Sequence, residues 1–96
     1  MNRYGTRARE HWQRYRPTEY AQMSDPAAYF TEMGEQMSAR INALSLSLAG
    51  DDPGNEEFLD KVGRLNMARL QAEEQVMREM LPPSEDDAAE QETTGA

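Results

Sequence analysis

Apolar positions in the middle of the chain recur at intervals of three and four residues, and no stretch shows the alternation of a strand. The central stripe consists of Phe30, Met33, Met37, Ile41, Leu44 and Leu48. This spacing is typical of an amphipathic helix that rests on a core. Asp25 and Pro26 provide a start signal, and Gly50 provides a left-handed C-cap. The pattern therefore predicts a long helix over 26–49.

Two further helices are predicted on either side of this one. Thr6 is the expected N-cap of the first helix, which Pro17 ends because proline lacks an amide proton. Pro82 and Pro83 end the last helix. The predicted helices span 5–16, 26–49 and 56–81, with a short turn at 18–24. The expected fold class is all-α: a small three-helix bundle whose two long helices form an antiparallel hairpin about the turn 50–54, with the first helix packed across them.

Composition limits the chain to one small domain. It has 96 residues, a net charge of −8, a mean hydropathy of −0.93 and a hydrophobic fraction of 38%. Residues after Pro83 contain five acids and no large apolar side chain. Such a segment cannot bury enough apolar surface to fold. We therefore expect a helical domain over 1–82 and a disordered acidic C-terminal tail over 83–96.

Several classes of function are disfavoured by residues that the chain lacks. There is no cysteine and one histidine, which excludes disulfides and thiol catalysis and removes most metal sites. No nucleophile with a neighbouring base is evident, so we expect no enzyme activity, cofactor, metal or small-molecule substrate. No apolar run approaches a membrane span, and the N-terminus lacks the apolar core of a signal peptide. The expected location is cytoplasmic, without membrane association.

The first predicted helix combines arginines with aromatic residues. Its candidate site residues are Arg7, His11, Trp12, Arg14 and Tyr15. These residue types could contact phosphates and stack on bases. The alternative is an amphipathic helix with its aromatics in the core and its arginines in solvent. The acidic chain as a whole favours this alternative. His11 is expected to be a hydrogen-bonded core residue rather than a metal ligand.

The last predicted helix carries polar residues where a helical wheel places its apolar face. We expect that face to be buried and to consist of Phe58, Leu59, Val62, Leu65, Val76, Met77 and Met80. Asn66, Arg69 and Glu73 lie in its middle, and Arg69 and Glu73 are four residues apart. A buried charge needs a partner, so these groups are expected to be paired. Two interpretations stay open: a structural network that fixes helix register, or a recognition site for a partner.

The segment from Lys61 to Glu74 resembles the C-terminal helix of the TnpV-like transposon-encoded proteins. The segment from Arg9 to Tyr20 resembles their N-terminal aromatic and basic helix. The residues carried over by position are Gly63, Arg64, Asn66, Arg69 and Glu73. The resemblance covers more than half of the chain, which departs from the family in lacking a long N-terminal extension and in its acidic tail. It implies a small helical accessory protein encoded on a mobile element.

Together these observations predict a non-enzymatic interaction or accessory protein of a mobile genetic element, such as a transposon, plasmid or phage. It would act through a protein partner or as a homodimer. One alternative is a nucleic-acid-binding accessory that uses the first helix. Another is an acidic antagonist of a host or defence nucleoprotein, because residues 21–60 hold eight acids against one arginine.

Overall fold

The structure, a computed structural model, describes residues 1–86, and the regular secondary structure in that range is entirely α-helical. Its helices are α1 (Arg3–Tyr15), α2 (Pro17–Ala21), α3 (Pro26–Ala49) and α4 (Phe58–Met80). The predicted all-α class is confirmed, and no strand occurs in residues 1–86. The short helix α2 forms where a turn was expected. Most of the predicted tail, residues 87–96, lies outside the described residues.

The chain divides into two compact units. The first contains residues 1–35 and the segment that begins at Leu81, and the second contains Gln36–Met80. Pro83 and Glu85 were expected in the disordered tail, but both make hydrogen bonds within the first unit. Residues 83–86 are therefore part of that unit.

Aromatic side chains form the core of the first unit. Tyr4, Ala8 and Trp12 are buried on one face of α1, whereas Tyr15, another aromatic residue of this helix, is exposed. They share the core with Phe30 from α3, whose ring centroid lies 5.3 Å from that of Trp12 in an edge-to-face arrangement. Such pairs add to the stabilisation that apolar burial alone provides.

The N-cap of helix α1 is Asn2 and not the expected residue, Thr6. The Asn2 Oδ1 accepts a hydrogen bond from the Gly5 amide at 2.9 Å, and its Nδ2 donates to the Gly34 carbonyl at 2.9 Å. Thr6 lies inside the helix, so the prediction of its capping role is wrong. Asn2 both satisfies an orphan amide of α1 and joins α1 to α3.

The second unit pairs the C-terminal half of α3 with α4 in an antiparallel hairpin. The pairs Arg40–Glu79, Asn42–Arg69 and Ala49–Arg64 show this direction, because the residue number rises along α3 while it falls along α4. The buried residues of the unit are Met37 and Ile41 from α3 and Ala68, Ala72 and Val76 from α4.

Both predicted ends of α3 are confirmed. The Asp25 carboxylate accepts a hydrogen bond from the Ala28 amide at 3.1 Å, as an N-cap does. Gly50 follows the last residue of α3 with a φ of 66°, a left-handed conformation that glycine adopts without steric cost. The hairpin connection over 50–57 therefore starts where the sequence indicates.

Candidate functional site

The buried face of α4 differs from the predicted one. Ala68, Ala72 and Val76 are buried at intervals of four residues, whereas Phe58 and Leu59 are among the most exposed side chains. Val62 and Leu65 are exposed as well. The wheel was centred on the large apolar residues, but the face that contacts α3 is rotated toward the alanines. Small side chains let the two helices pack closely, and they carry a weak hydrophobic signal in the sequence.

The polar cluster of α4 is therefore not buried, contrary to the prediction. Asn66 is exposed, and no polar or charged residue among residues 1–86 is fully buried. The Arg69 Nε lies 3.4 Å from the Glu73 Oε1, with side-chain exposures of 42% and 18%. The Arg69 Nη1 also donates to the Asn42 Oδ1 at 3.2 Å. These contacts join α4 to α3 at the edge of their contact, and a recognition role for the cluster stays a prediction.

Arg64 forms a network that closes the hairpin connection. Its guanidinium donates to the Glu56 carboxylate at 2.8 and 3.0 Å, to the Asp52 carboxylate at 2.6 Å and to the Ala49 carbonyl. Lys61 adds a 2.6 Å ion pair with Asp52. Arg64 therefore holds the end of α3, the loop and the first turns of α4 together. Gly63, its predicted neighbour in a site, is exposed on a different side of α4.

This network sets the protonation behaviour of its members. The hydrogen bond from Lys61 lowers the pKa of the Asp52 carboxyl most, and the one from Arg64 adds to it. The Arg64 hydrogen bond also lowers the pKa of Glu56, and the two carboxylates together raise the pKa of Arg64. Asp52, Glu56 and Arg64 therefore stay charged at neutral pH, and the network holds as a set of ion pairs.

The candidate residues of α1 belong to the first unit, and those of α4 belong to the second. Trp12 is buried, His11 is half-buried, and Arg7, Arg14 and Tyr15 are exposed. The Arg14 guanidinium lies 5.2 Å from the Tyr15 ring centroid, in cation–π range. Because Trp12 and Tyr4 belong to the core, they are not available to stack on bases. This finding weakens the nucleic-acid interpretation of the first helix.

His11 and Arg16 hold the segment that follows α4. The His11 Nε2 donates a hydrogen bond to the Pro82 carbonyl oxygen at 2.7 Å, and the Arg16 Nη1 donates to the Pro83 carbonyl at 2.8 Å. The Glu85 carboxylate accepts a hydrogen bond from the Glu19 amide at 3.0 Å. The hydrogen bond expected of His11 is present, but the residue is half-buried and does not belong to the core. Its partner, a backbone carbonyl 71 residues away, could not be read from the sequence.

The Glu19 carboxylate lies beside two donors of the first unit. The Arg16 Nε donates to it at 2.5 Å and is the main cause of its lowered pKa, with a smaller contribution from the Trp12 indole. The buried Trp12 Nε1 has no hydrogen bond of normal geometry to any residue in the described part of the chain.

Exposed apolar side chains are concentrated in the second unit. Eleven large apolar side chains are exposed among residues 1–86, and eight of them lie between residues 46 and 70. They are Leu46, Leu48, Phe58, Leu59, Val62, Leu65, Met67 and Leu70. A single exposed leucine needs no explanation, but such a concentration is unusual on the surface of a monomeric protein. The sequence pattern does not reveal this concentration, because it predicts most of these residues to lie in the core.

No known protein family, curated protein or solved structure matches this chain. Within residues 1–86, no three histidine or acidic side chains are grouped so that they could hold a metal ion. None of the helices described above has the length and apolar character to cross a bilayer.

Proposed function

We propose that this chain is a protein-interaction module that binds another protein chain through the exposed apolar side chains of its second unit. The observation that carries the proposal is the position of eight of eleven exposed large apolar side chains within residues 46–70. Removing such side chains from water is favourable by about 25 cal/mol for each Å² of apolar surface, which offsets part of the entropy lost on association. A monomer that left them in contact with water would lack this stabilisation.

The arrangement of α4 supports this role. The helix carries buried residues on one side, at Ala68, Ala72 and Val76, and exposed apolar residues on another, at Leu59, Met67 and Leu70. Apolar residues on two sides are typical of a helix that packs against a neighbouring element on each side. Helix α3 provides one layer, and the proposed partner provides the other.

The Arg64 network gives such a surface a fixed shape. Arg64 and Lys61 hold the loop acids Asp52 and Glu56 against the beginning of α4, next to Phe58 and Leu59. A surface that is already ordered loses less conformational entropy on binding. In this proposal Arg64 is a positioning residue, and the exposed apolar side chains make the contacts.

A site-specific photo-cross-linker tests the proposal. The photoreactive amino acid replaces Leu59 or Leu70 in separate variants expressed in cells of the natural host. A matched control carries it at Ala39, an exposed position on α3. We expect discrete adducts with a protein chain from positions 59 and 70 and none from position 39. Equal labelling from all three positions, or none from any, refutes the proposal.

The setting in a mobile genetic element is a second part of the proposal. Its support is the resemblance of residues 61–74 to the TnpV-like proteins. The test is to identify the genes that lie next to the genes of close relatives of this chain. We expect transposase, recombinase or phage genes next to most of these relatives' genes. Housekeeping neighbours in most genomes would contradict the mobile-element role and leave the interaction role untouched.

A further inference from the structure

We infer that a second copy of this chain occupies the exposed side of α4, in an antiparallel helix pair whose two-fold axis passes Gly63. The inference rests on the proposed interaction role and names its partner. The exposed side in question, hereafter the open face of α4, consists of Leu59, Asp60, Gly63, Asn66, Met67 and Leu70. On a helical wheel these residues lie within about 60° of Gly63.

Gly63 has no intrachain reason to be glycine. It lies in the interior of α4, its φ is not positive, and a Cβ built on it would contact nothing within 4 Å. Glycine in a helix interior is less favourable than alanine by about 0.5–1 kcal/mol. A close approach by another backbone from outside would explain the residue. The first unit already uses this arrangement, where Gly5 and Gly34 lie against each other.

The residues three and four positions from Gly63 on either side are complementary about that position. In an antiparallel pair with its axis at Gly63, each residue faces the one equally far on the other side of Gly63. Leu59 then faces Met67 of the second copy, and both are exposed apolar side chains, at 79% and 56%. Asp60 faces Asn66, so that a carboxylate acceptor meets an amide donor. An isologous interface requires such a relationship, because each contact occurs twice.

Charge and area are compatible with a second copy. The chain carries a net charge of −8, yet the axis brings no like-charged pair together on the open face. The open face offers Leu59, Met67 and Leu70, with Val62 at its edge, which is fewer apolar side chains than a standard-size interface buries. We therefore expect a dimer in concentration-dependent equilibrium with its monomer. Residues 87–96 contain no large apolar side chain with which to cover the face instead.

Cysteine cross-linking tests the axis directly, because the natural chain has no cysteine. Gly63→Cys places one thiol on each copy at the axis, where helix backbones in close contact fall within the roughly 4.4–6.8 Å Cα separation of a disulfide. We expect G63C to form a covalent dimer under mild oxidation, and the matched control A39C to stay monomeric. A mixture of L59C and M67C should form the mixed dimer faster than either variant alone forms its own.

Sedimentation equilibrium of the unmodified chain, over roughly 1 μM to 1 mM, tests the association itself. We expect dimerisation in the natural chain and in A39L, and at least a tenfold weaker association in G63L. A monomeric natural chain over the whole range, or unchanged dimerisation in G63L, overturns the inference. Photo-adducts from Leu59 with a different protein would then leave the interaction role standing, whereas their absence would refute that role as well.

Discussion

Gly5 of α1 and Gly34 of α3 lie against each other without space for a side chain between them. A Cβ built at Gly34 would lie 2.7 Å from the Gly5 backbone nitrogen and 2.9 Å from its Cα. A Cβ built at Gly5 would collide with the carbonyl of Phe30. The helices of the first unit therefore meet backbone to backbone, and the Asn2 side chain bridges them at the same place.

Gly34→Ala should destabilise the protein, because the new methyl group meets backbone atoms that cannot rotate away. We expect a loss of about 1–3 kcal/mol in the free energy of unfolding, measured by urea denaturation followed by circular dichroism. Gly54→Ala is the matched control, since a Cβ there meets nothing within 4 Å. Equal effects of the two variants would contradict the close approach.

Asn2→Ala should lower the free energy of unfolding by about 0.5–2 kcal/mol, the range for loss of an N-cap. Because the hydrogen bond to Gly34 is lost as well, we expect a value in the upper half of this range. Thr6→Ala is the control, because Thr6 lies within α1 and caps nothing. Thermal melts of both variants provide the comparison. If Thr6→Ala is the more damaging change, α1 begins at Thr6 after all.

Glu73→Ala should lower the free energy of unfolding by at most about 1 kcal/mol, as expected for the loss of an exposed ion pair. The reason is the 42% exposure of Arg69, which returns to solvent or keeps its bond to Asn42 when Glu73 is removed. A loss of several kcal/mol would mean that Arg69 is buried in solution and left without its partner. Urea titrations of the natural chain and the variant decide between these outcomes.

Acid should weaken the hairpin connection through Asp52 and Glu56. Their pKa values are lowered in the folded chain, so their stabilising effect is complete above the unfolded values near pH 4 and is lost as the pH falls below them. We expect Arg64→Gln to lower the Tm at pH 7 and to reduce the loss of Tm between pH 5 and pH 3. Parallel acid profiles of variant and natural chain would show that Arg64 does not set these pKa values.

DNA binding is the outcome we do not expect. Of the aromatics in α1, Tyr4 and Trp12 are buried, and the net charge of −8 opposes phosphate binding. Fluorescence anisotropy with duplex DNA at physiological salt should therefore show no saturable binding. Micromolar binding that is lost in Arg7→Ala and Arg14→Ala would replace the interaction proposal with the nucleic-acid one.

Sequence patterns predict the parts of this fold that depend on local chemistry. Asp25, Pro26 and Gly50 set the ends of α3 because caps and turns act within a few residues. The stripe through Phe30, Met37 and Ile41 gave the buried side of α3 because its large residues dominate the pattern.

The buried side of α4 could not be predicted in this way, because its alanines carry little hydrophobic signal while the large residues beside them stay exposed. Contacts such as Gly5–Gly34 and His11–Pro82 also lie beyond local patterns, since they join residues 29 and 71 positions apart. The contacts of the candidate site could not be predicted either. Arg64 was identified as a candidate, but its ion pairs with the loop depend on where the connection over 50–57 folds back.

The hydrogen bonds of His11 and Arg16 to the carbonyls of Pro82 and Pro83 have a consequence for the order of folding. The first unit is built from the two ends of the described chain, so its last segment leaves the ribosome only after the whole hairpin has been made. The second unit is continuous in sequence and can form first. On a ribosome stalled just after Met80 emerges, the hairpin would therefore be complete, whereas His11 and Arg16 of α1 would still lack their carbonyl acceptors.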